Sequence, residues 1–200
     1  MVHADASNFA SGVTKDEAYE QVLLQAKGLF ADQRNWVRER LSADTYLNAS
    51  TDGDSNLANA ASLLWHAYKS LPPPSSQVNW AGFYVLDPSS KDPQLILGPF
   101  QGKVACQTIK FGRGICGTAA ASRETQLVDD VDRFPGHIAC DGDSRSEIVV
   151  PVLADDRDGS GTRAVVAIID VDCATLGGFD ESDKRYLQQL AELLSRSCDW

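Results

Sequence analysis

The chain has no excess of positive charge. Its 200 residues hold 18 Lys and Arg against 28 Asp and Glu, a net charge of −10. Nucleic acid and anionic membrane surfaces both require a basic face, so neither is an expected partner. No apolar run reaches the ~20 residues that a membrane span needs. The opening Met1-Val2-His3-Ala4-Asp5-Ala6-Ser7 lacks the basic-then-apolar pattern of a secretory signal. Without that route the acceptor-like Asn48-Ala49-Ser50 carries no meaning for glycosylation. The five cysteines are an odd number and include no Cys-x-x-Cys pair. A chain of this size buries enough surface to fold without disulfide staples. These absences point to a reducing cytoplasm, with the nucleus also accessible, where any disulfide is transient and catalytic. There is no internal repeat, no low-complexity tract and no nucleotide-binding glycine fingerprint.

What is present reads as one soluble globular domain with a helical segment in front. Residues 1 to 13 are small and polar and are expected to be disordered. Thr14-Lys15-Asp16-Glu17 is a capping box. The helix behind it puts Ala18, Val22, Leu23, Ala26, Leu29 and Phe30 on one face, which Trp36, Val37 and Leu41 continue. A polar break spans Asn48 to Ser55. We therefore assign residues 14 to 50 to a helical extension and 51 to 200 to the main domain.

A second helix runs from about Asn56 to Leu71 and stops at Pro72-Pro73-Pro74, because proline has no amide hydrogen to give. From Trp80 the apolar period shortens to that of a strand. Further strands are expected at Leu95–Leu97, Lys103–Ile109, Gln126–Val128, Glu147–Leu153 and Arg163–Val171. Phe111-Gly112-Arg113-Gly114 turns into a short helix over Ile115–Ser122, and Asp155 to Gly161 is a turn. The long loop from Asp129 to Ser146 is of a length that usually serves function. Asp180 caps a last helix with Tyr186, Leu187, Leu190, Ala191 and Leu194 inward. The pattern is an α/β (α+β) domain, an antiparallel-rich sheet covered by helices.

Three cysteines stand apart from packing. Cys106, Cys116 and Cys140 each lie beside a glycine turn or inside a polar loop. Cys116 falls in the first turn of a helix, where the dipole favours a thiolate. Cys140 follows His137 by three residues, and an imidazolium would favour its thiolate, although Asp141 opposes it. Cys173 and Cys198 read as apolar filler. The set Cys106, Cys116, His137 and Cys140 also matches the ligand types of a zinc site, but no pair has the short spacing of a structural finger, so no metal is assigned. Asp170 and Asp172 share one face at a strand end, and Glu147 opens the strand after the Cys140 loop. Such acids can hold an ammonium group and share a proton. Trp80 and Tyr84 also share a face, as core or as a wall around a methyl group beside a polarised sulfur.

Five stretches then occur in order: Asn79-Trp80-Ala81-Gly82-Phe83-Tyr84, Leu97-Gly98-Pro99-Phe100-Gln101-Gly102-Lys103-Val104-Ala105-Cys106, Gly112-Arg113-Gly114-Ile115-Cys116-Gly117-Thr118-Ala119, Gly136-His137-Ile138-Ala139-Cys140-Asp141 and Ser146-Glu147-Ile148-Val149-Val150-Pro151. Together they resemble the free methionine-(R)-sulfoxide reductases, which are single GAF domains. The resemblance covers about residues 56 to 195. It implies a six-stranded antiparallel sheet flanked by helices, often in a homodimer, and reduction of free methionine (R)-sulfoxide, a role in protection against oxidative damage. It implies Cys106, Cys116 and Cys140 as the chemical thiols. It also implies Glu147, Asp170 and Asp172 as substrate-binding acids, with Trp80 and Tyr84 around the methyl group. Cys173 replaces the serine usual after the second acid and is expected to be structural.

On this reading Cys140 attacks the sulfoxide and becomes a sulfenic acid. Cys106 or Cys116 then condenses with it, and thioredoxin reopens the disulfide, with no bound cofactor. Cys140 is favoured as attacker because its loop directly precedes Glu147, with Cys116 as the alternative. A ligand-sensing GAF module and a peroxide-driven thiol switch are the competing functions.

Overall fold

In a computed structural model the described residues are 9, 12–31, 55–138, 140–155 and 162–200. Trp36, Val37, Leu41, the polar break before Ser55 and most of the expected 155–161 turn lie outside them. So does most of the expected disordered start; Phe9, which is described, is partly buried against the core.

Helix α1 is Lys15–Phe30, and its capping box forms as expected: Thr14 Oγ1 accepts from the Glu17 amide, and the Glu17 carboxylate accepts from the Thr14 amide. Helix α2 is Ser55–Ser70. Strands β1 (Val78–Leu86), β2 (Gln94–Gly102) and β3 (Thr108–Lys110) follow, then α3 (Gly114–Ser122) and β4 (Gln126–Val128). Strands β5 (Ser146–Asp155) and β6 (Arg163–Cys173) and helix α4 (Glu181–Ser197) complete the fold. The six strands form one sheet in the order β3-β2-β1-β6-β5-β4, every pairing antiparallel.

Both faces of this sheet are covered, which explains the unbroken apolar runs of β5 and β6. On one face Phe83, Val85, Val150, Ile169 and Val171 pack against α2 and α4, which α1 covers in turn. On the other, Tyr84, Val149 and Ile168 pack against Ile115, Ala119 and Ala120 of α3. The strand period divides β1 between the two cores as the sequence pattern predicts. Helix α1 is bound in by polar contacts too. Tyr19 donates to Asp183 Oδ1 at 2.8 Å, and Lys15 Nζ lies 2.6 Å from Asp183 Oδ2. Asp183 is fully buried, and burial keeps its carboxyl above the ordinary range against the pull of Lys15. Among the described residues no helix is long and apolar enough to cross a membrane.

The third strand differs from expectation. The sequence pattern suggests Lys103–Ile109, but only Thr108–Lys110 pairs, and residues 103 to 107 leave the sheet. Gly102 turns the chain there with φ of 130°, and the Trp80 indole fastens the exit by donating to the Lys103 carbonyl at 3.1 Å. Strand β2 is correspondingly longer than Leu95–Leu97. A register shift opposite Phe83 lets it pass Pro99, which has no amide to donate.

Candidate active site

The register of three central strands assembles the site. Trp80 of β1 faces Asp172 of β6, which faces Glu147 of β5. One pleat further along, Gly82 faces Asp170. Because side chains alternate, these residues all point to the α3 side of the sheet. There they meet a cavity of about 320 Å³, and Trp80, Tyr84, Cys106, Cys116, Cys140, Glu147, Asp170 and Asp172 all line it. Residues scattered over 93 positions of sequence thus share one space.

Trp80 has an aromatic neighbour that sequence reasoning missed. Trp80 stacks on Tyr84 with ring centroids 5.8 Å apart and on Phe100 at 5.2 Å. Gly82 makes this possible. A Cβ there would meet the Phe100 Cβ at 2.3 Å and the Trp80 ring at 2.8 Å. Gly82 pairs with Phe100 across β1 and β2, a register the sequence pattern did not show because it ended the second strand at Leu97.

The floor is acidic and sheltered from solvent. Glu147 and Asp170 are buried, and Asp172 is partly so. Burial, followed by the neighbouring Asp170 and Asp172 charges, holds Glu147 well above the usual carboxyl range. Burial and Asp170 do the same to Asp172, while a hydrogen bond from Ser144 opposes it. Asp170 Oδ1 is buried without a hydrogen-bond partner. A buried orphan oxygen facing a cavity suits a donor brought in by a ligand, or a proton of its own. The same surroundings keep the Tyr84 phenol protonated.

The cysteines divide into a pair and a single thiol. Cys106 and Cys140 form a disulfide at the cavity mouth, while Cys116 is free and buried. Cys116 Sγ donates to Glu147 Oε1 at 3.4 Å. The helix dipole does not make it a thiolate. Burial first, then the Asp170, Glu147 and Asp172 charges, drive its thiol well above the ordinary range. That corrects the sequence reading, which could not see that three acids would converge on the helix start. Of the Cys3His set, two sulfurs are bonded to each other in this disulfide form. Among the described residues the ligand-type atoms that cluster are those of Cys116, Glu147 and Asp170, within 4.8 Å of one another. Cys173 and Cys198 are buried away from this cavity, as filler would be.

The Cys140 loop is tied to the sheet by Asp141. Its carboxylate accepts from Asn79 Nδ2 at 3.1 Å and from the Asp143 amide at 3.1 Å, and it faces Lys103 Nζ at 3.4 Å. The Asp143 amide, more than any other contact, keeps Asp141 ionised. Asn79 opens the first of the five sequence stretches, and this bond is what its position provides.

Residues 60–197 match the family model described as GAF domain. The chain is 50% identical to the free methionine-R-sulfoxide reductase of Saccharomyces cerevisiae, over 98% of this chain and 94% of that protein. It is 42% identical to the free methionine-R-sulfoxide reductase of Escherichia coli, over 71% of this chain and 75% of that protein. Among solved structures, the free methionine-R-sulfoxide reductase of Neisseria meningitidis in complex with its substrate superposes with a TM-score of 0.73 at 36% identity. That match covers 96% of this chain and 95% of the other.

Proposed function

The chain belongs to the GAF-domain family and, within it, to the free methionine-R-sulfoxide reductases; from that premise we propose that it reduces free methionine (R)-sulfoxide to methionine with its own thiols. The observation that carries the reading is the Cys106–Cys140 disulfide at the mouth of a cavity floored by Glu147, Asp170 and Asp172. A pair of cysteines that can hold two electrons stands over acids that can deliver protons.

The substrate methyl group lies against Trp80 and Tyr84, where a partly cationic sulfur is attracted to ring faces. One acid in ionised form holds the ammonium group. Another, kept protonated by burial, donates to the S–O oxygen and makes the sulfur electrophilic. Cys140 attacks as thiolate, the S–O bond breaks, methionine leaves, and Cys140 carries the oxygen as sulfenic acid. The Cys106 thiol displaces that oxygen as water and the disulfide forms. Two electrons and two protons have then passed from the thiols to one sulfoxide. A thioredoxin-type dithiol restores the pair, and no bound cofactor takes part.

Cys116 has the wrong environment for either thiol role. It is best read as a donor that orders Glu147. A cavity of about 320 Å³ is of the size of a single amino acid, which supports a free rather than a peptide-bound substrate. The biological setting this suits is the cytoplasm, where oxidised free methionine is recovered after oxidative damage.

The test is thioredoxin-coupled NADPH oxidation with three substrates: the free (R) epimer, the free (S) epimer and peptide-bound methionine sulfoxide. Turnover restricted to the free (R) epimer is expected. Binding without turnover, or equal turnover of the peptide, would overturn the proposal.

A further inference from the structure

Four large hydrophobic side chains stand well exposed among the described residues, and two of them, Val104 and Ile138, flank the disulfide. Val104 is 88% exposed and lies on the loop that carries Cys106, two residues before it. Ile138 is 51% exposed and lies on the opposite loop, two residues before Cys140. Both sit at the cavity mouth. Leaving apolar groups of this size in water is unfavourable, and placing one on each side of a bond that another molecule must reach is how a contact patch is built.

Charges of both signs border the patch: Lys103 is held by Asp141 and Asp143, while two further cations stand apart from them. Lys110, which ends β3, and Arg113, on the turn into α3, are exposed at the same mouth. Neither side chain has a carboxylate partner among the described residues. On a chain of net charge −10 these are two cations left available to an acidic partner. The disulfide itself is unevenly presented: Cys140 is exposed and Cys106 is only partly so.

We propose that Val104 and Ile138, with Lys110 and Arg113, form the docking surface for a protein dithiol with an apolar, acid-rimmed active face, and that this partner attacks Cys140 Sγ. The inference rests on the disulfide being the one recycled in the reaction proposed above. A thiolate of the partner bonds to Cys140 Sγ, the Cys106–Cys140 bond breaks, and Cys106 leaves as a thiolate that takes up a proton. The partner's second thiol then displaces Cys140, which also takes up a proton. The partner ends as a disulfide, two electrons and two protons poorer. Access decides which sulfur is attacked, and Cys140 is the accessible one.

The test begins with the oxidised protein and never adds sulfoxide. The rate of disulfide reduction is followed with thioredoxin and, separately, with dithiothreitol, for the parent and the double variant Val104→Ser/Ile138→Ser. The proposal expects the thioredoxin rate to fall roughly tenfold, with the dithiothreitol rate held, because apolar contacts at an interface centre carry much of its affinity. In Lys110→Gln/Arg113→Gln the thioredoxin rate loses most of its dependence on salt. A thioredoxin keeping only its attacking cysteine is trapped on Cys140. Equal losses with both reductants, no loss with thioredoxin, or trapping on Cys106 overturns the proposal. A failure of sulfoxide turnover with these results intact would instead count against the reaction itself.

Discussion

Asp170→Asn separates what the acidic floor costs the fold from what it does for the reaction. The side chain is 5% exposed, its Oδ1 has no partner, and burial pushes its pKa up to about 7 from 3.8. At about 1.4 kcal/mol for each pK unit, its ionised form is roughly 4 kcal/mol worse off in the fold than in the unfolded chain. Glu147 and Asp172 titrate with it, so the share that one substitution recovers is roughly 1–3 kcal/mol. The direction follows from the raised value. The folded protein holds the Asp170 proton more tightly than the unfolded chain does. This contribution to stability is complete below about pH 4 and is lost as pH rises through about 7. An asparagine has no such contribution to lose. The variant should match the parent near pH 4 and melt several degrees higher above pH 8, roughly 3–8 °C for a chain of this length. Activity should meanwhile drop on the order of a hundredfold. Calorimetric melting of both proteins across pH 4 to 9 reads the effect. Parallel melting curves at every pH would refute the claim that the floor is strained by its own charge.

Four further outcomes follow from the same geometry. Cys106→Ser should release one methionine per chain and then stop with Cys140 as a sulfenic acid, detectable with a sulfenic-acid probe. Cys116→Ser should keep steady-state turnover within about tenfold, since a buried protonated thiol takes no part in the exchange; complete loss would make Cys116 a participant. Trp80→Phe should raise KM roughly tenfold while kcat holds, measured in the coupled assay, because it removes ring area and the bond to the Lys103 carbonyl rather than a proton donor. Lys15→Ala leaves Asp183 buried without its cation and should lower stability by about 3 kcal/mol in denaturant titration, with KM unmoved.

Much of this fold is legible in the chain because its signals are local. The capping box at Thr14, the Asp180 cap, the proline stop after α2 and the two-residue period of Trp80, Gly82 and Tyr84 each act within a few residues. The exit of residues 103 to 107 from the sheet is not legible, because it depends on the Trp80 indole reaching a carbonyl 23 positions away. The composition of the site could be anticipated from five ordered stretches, but not its electrostatics. A cysteine in a helix's first turn suggests a thiolate. The acids that reverse this come from β5 and β6, and only the strand register brings them there. The pairing of Cys140 with Cys106 rather than with Cys116 is likewise a matter of which loops meet over the cavity.

The central claim is that electrons for the sulfoxide come from Cys106 and Cys140. Fully reduced protein, freed of reductant, is mixed with one equivalent of free methionine (R)-sulfoxide and quenched with acid. Methionine and the disulfide are then quantified by mass spectrometry. The account predicts one methionine and one Cys106–Cys140 bond per chain, appearing together. Methionine formed with both of those thiols still free, or no methionine at all, would contradict it.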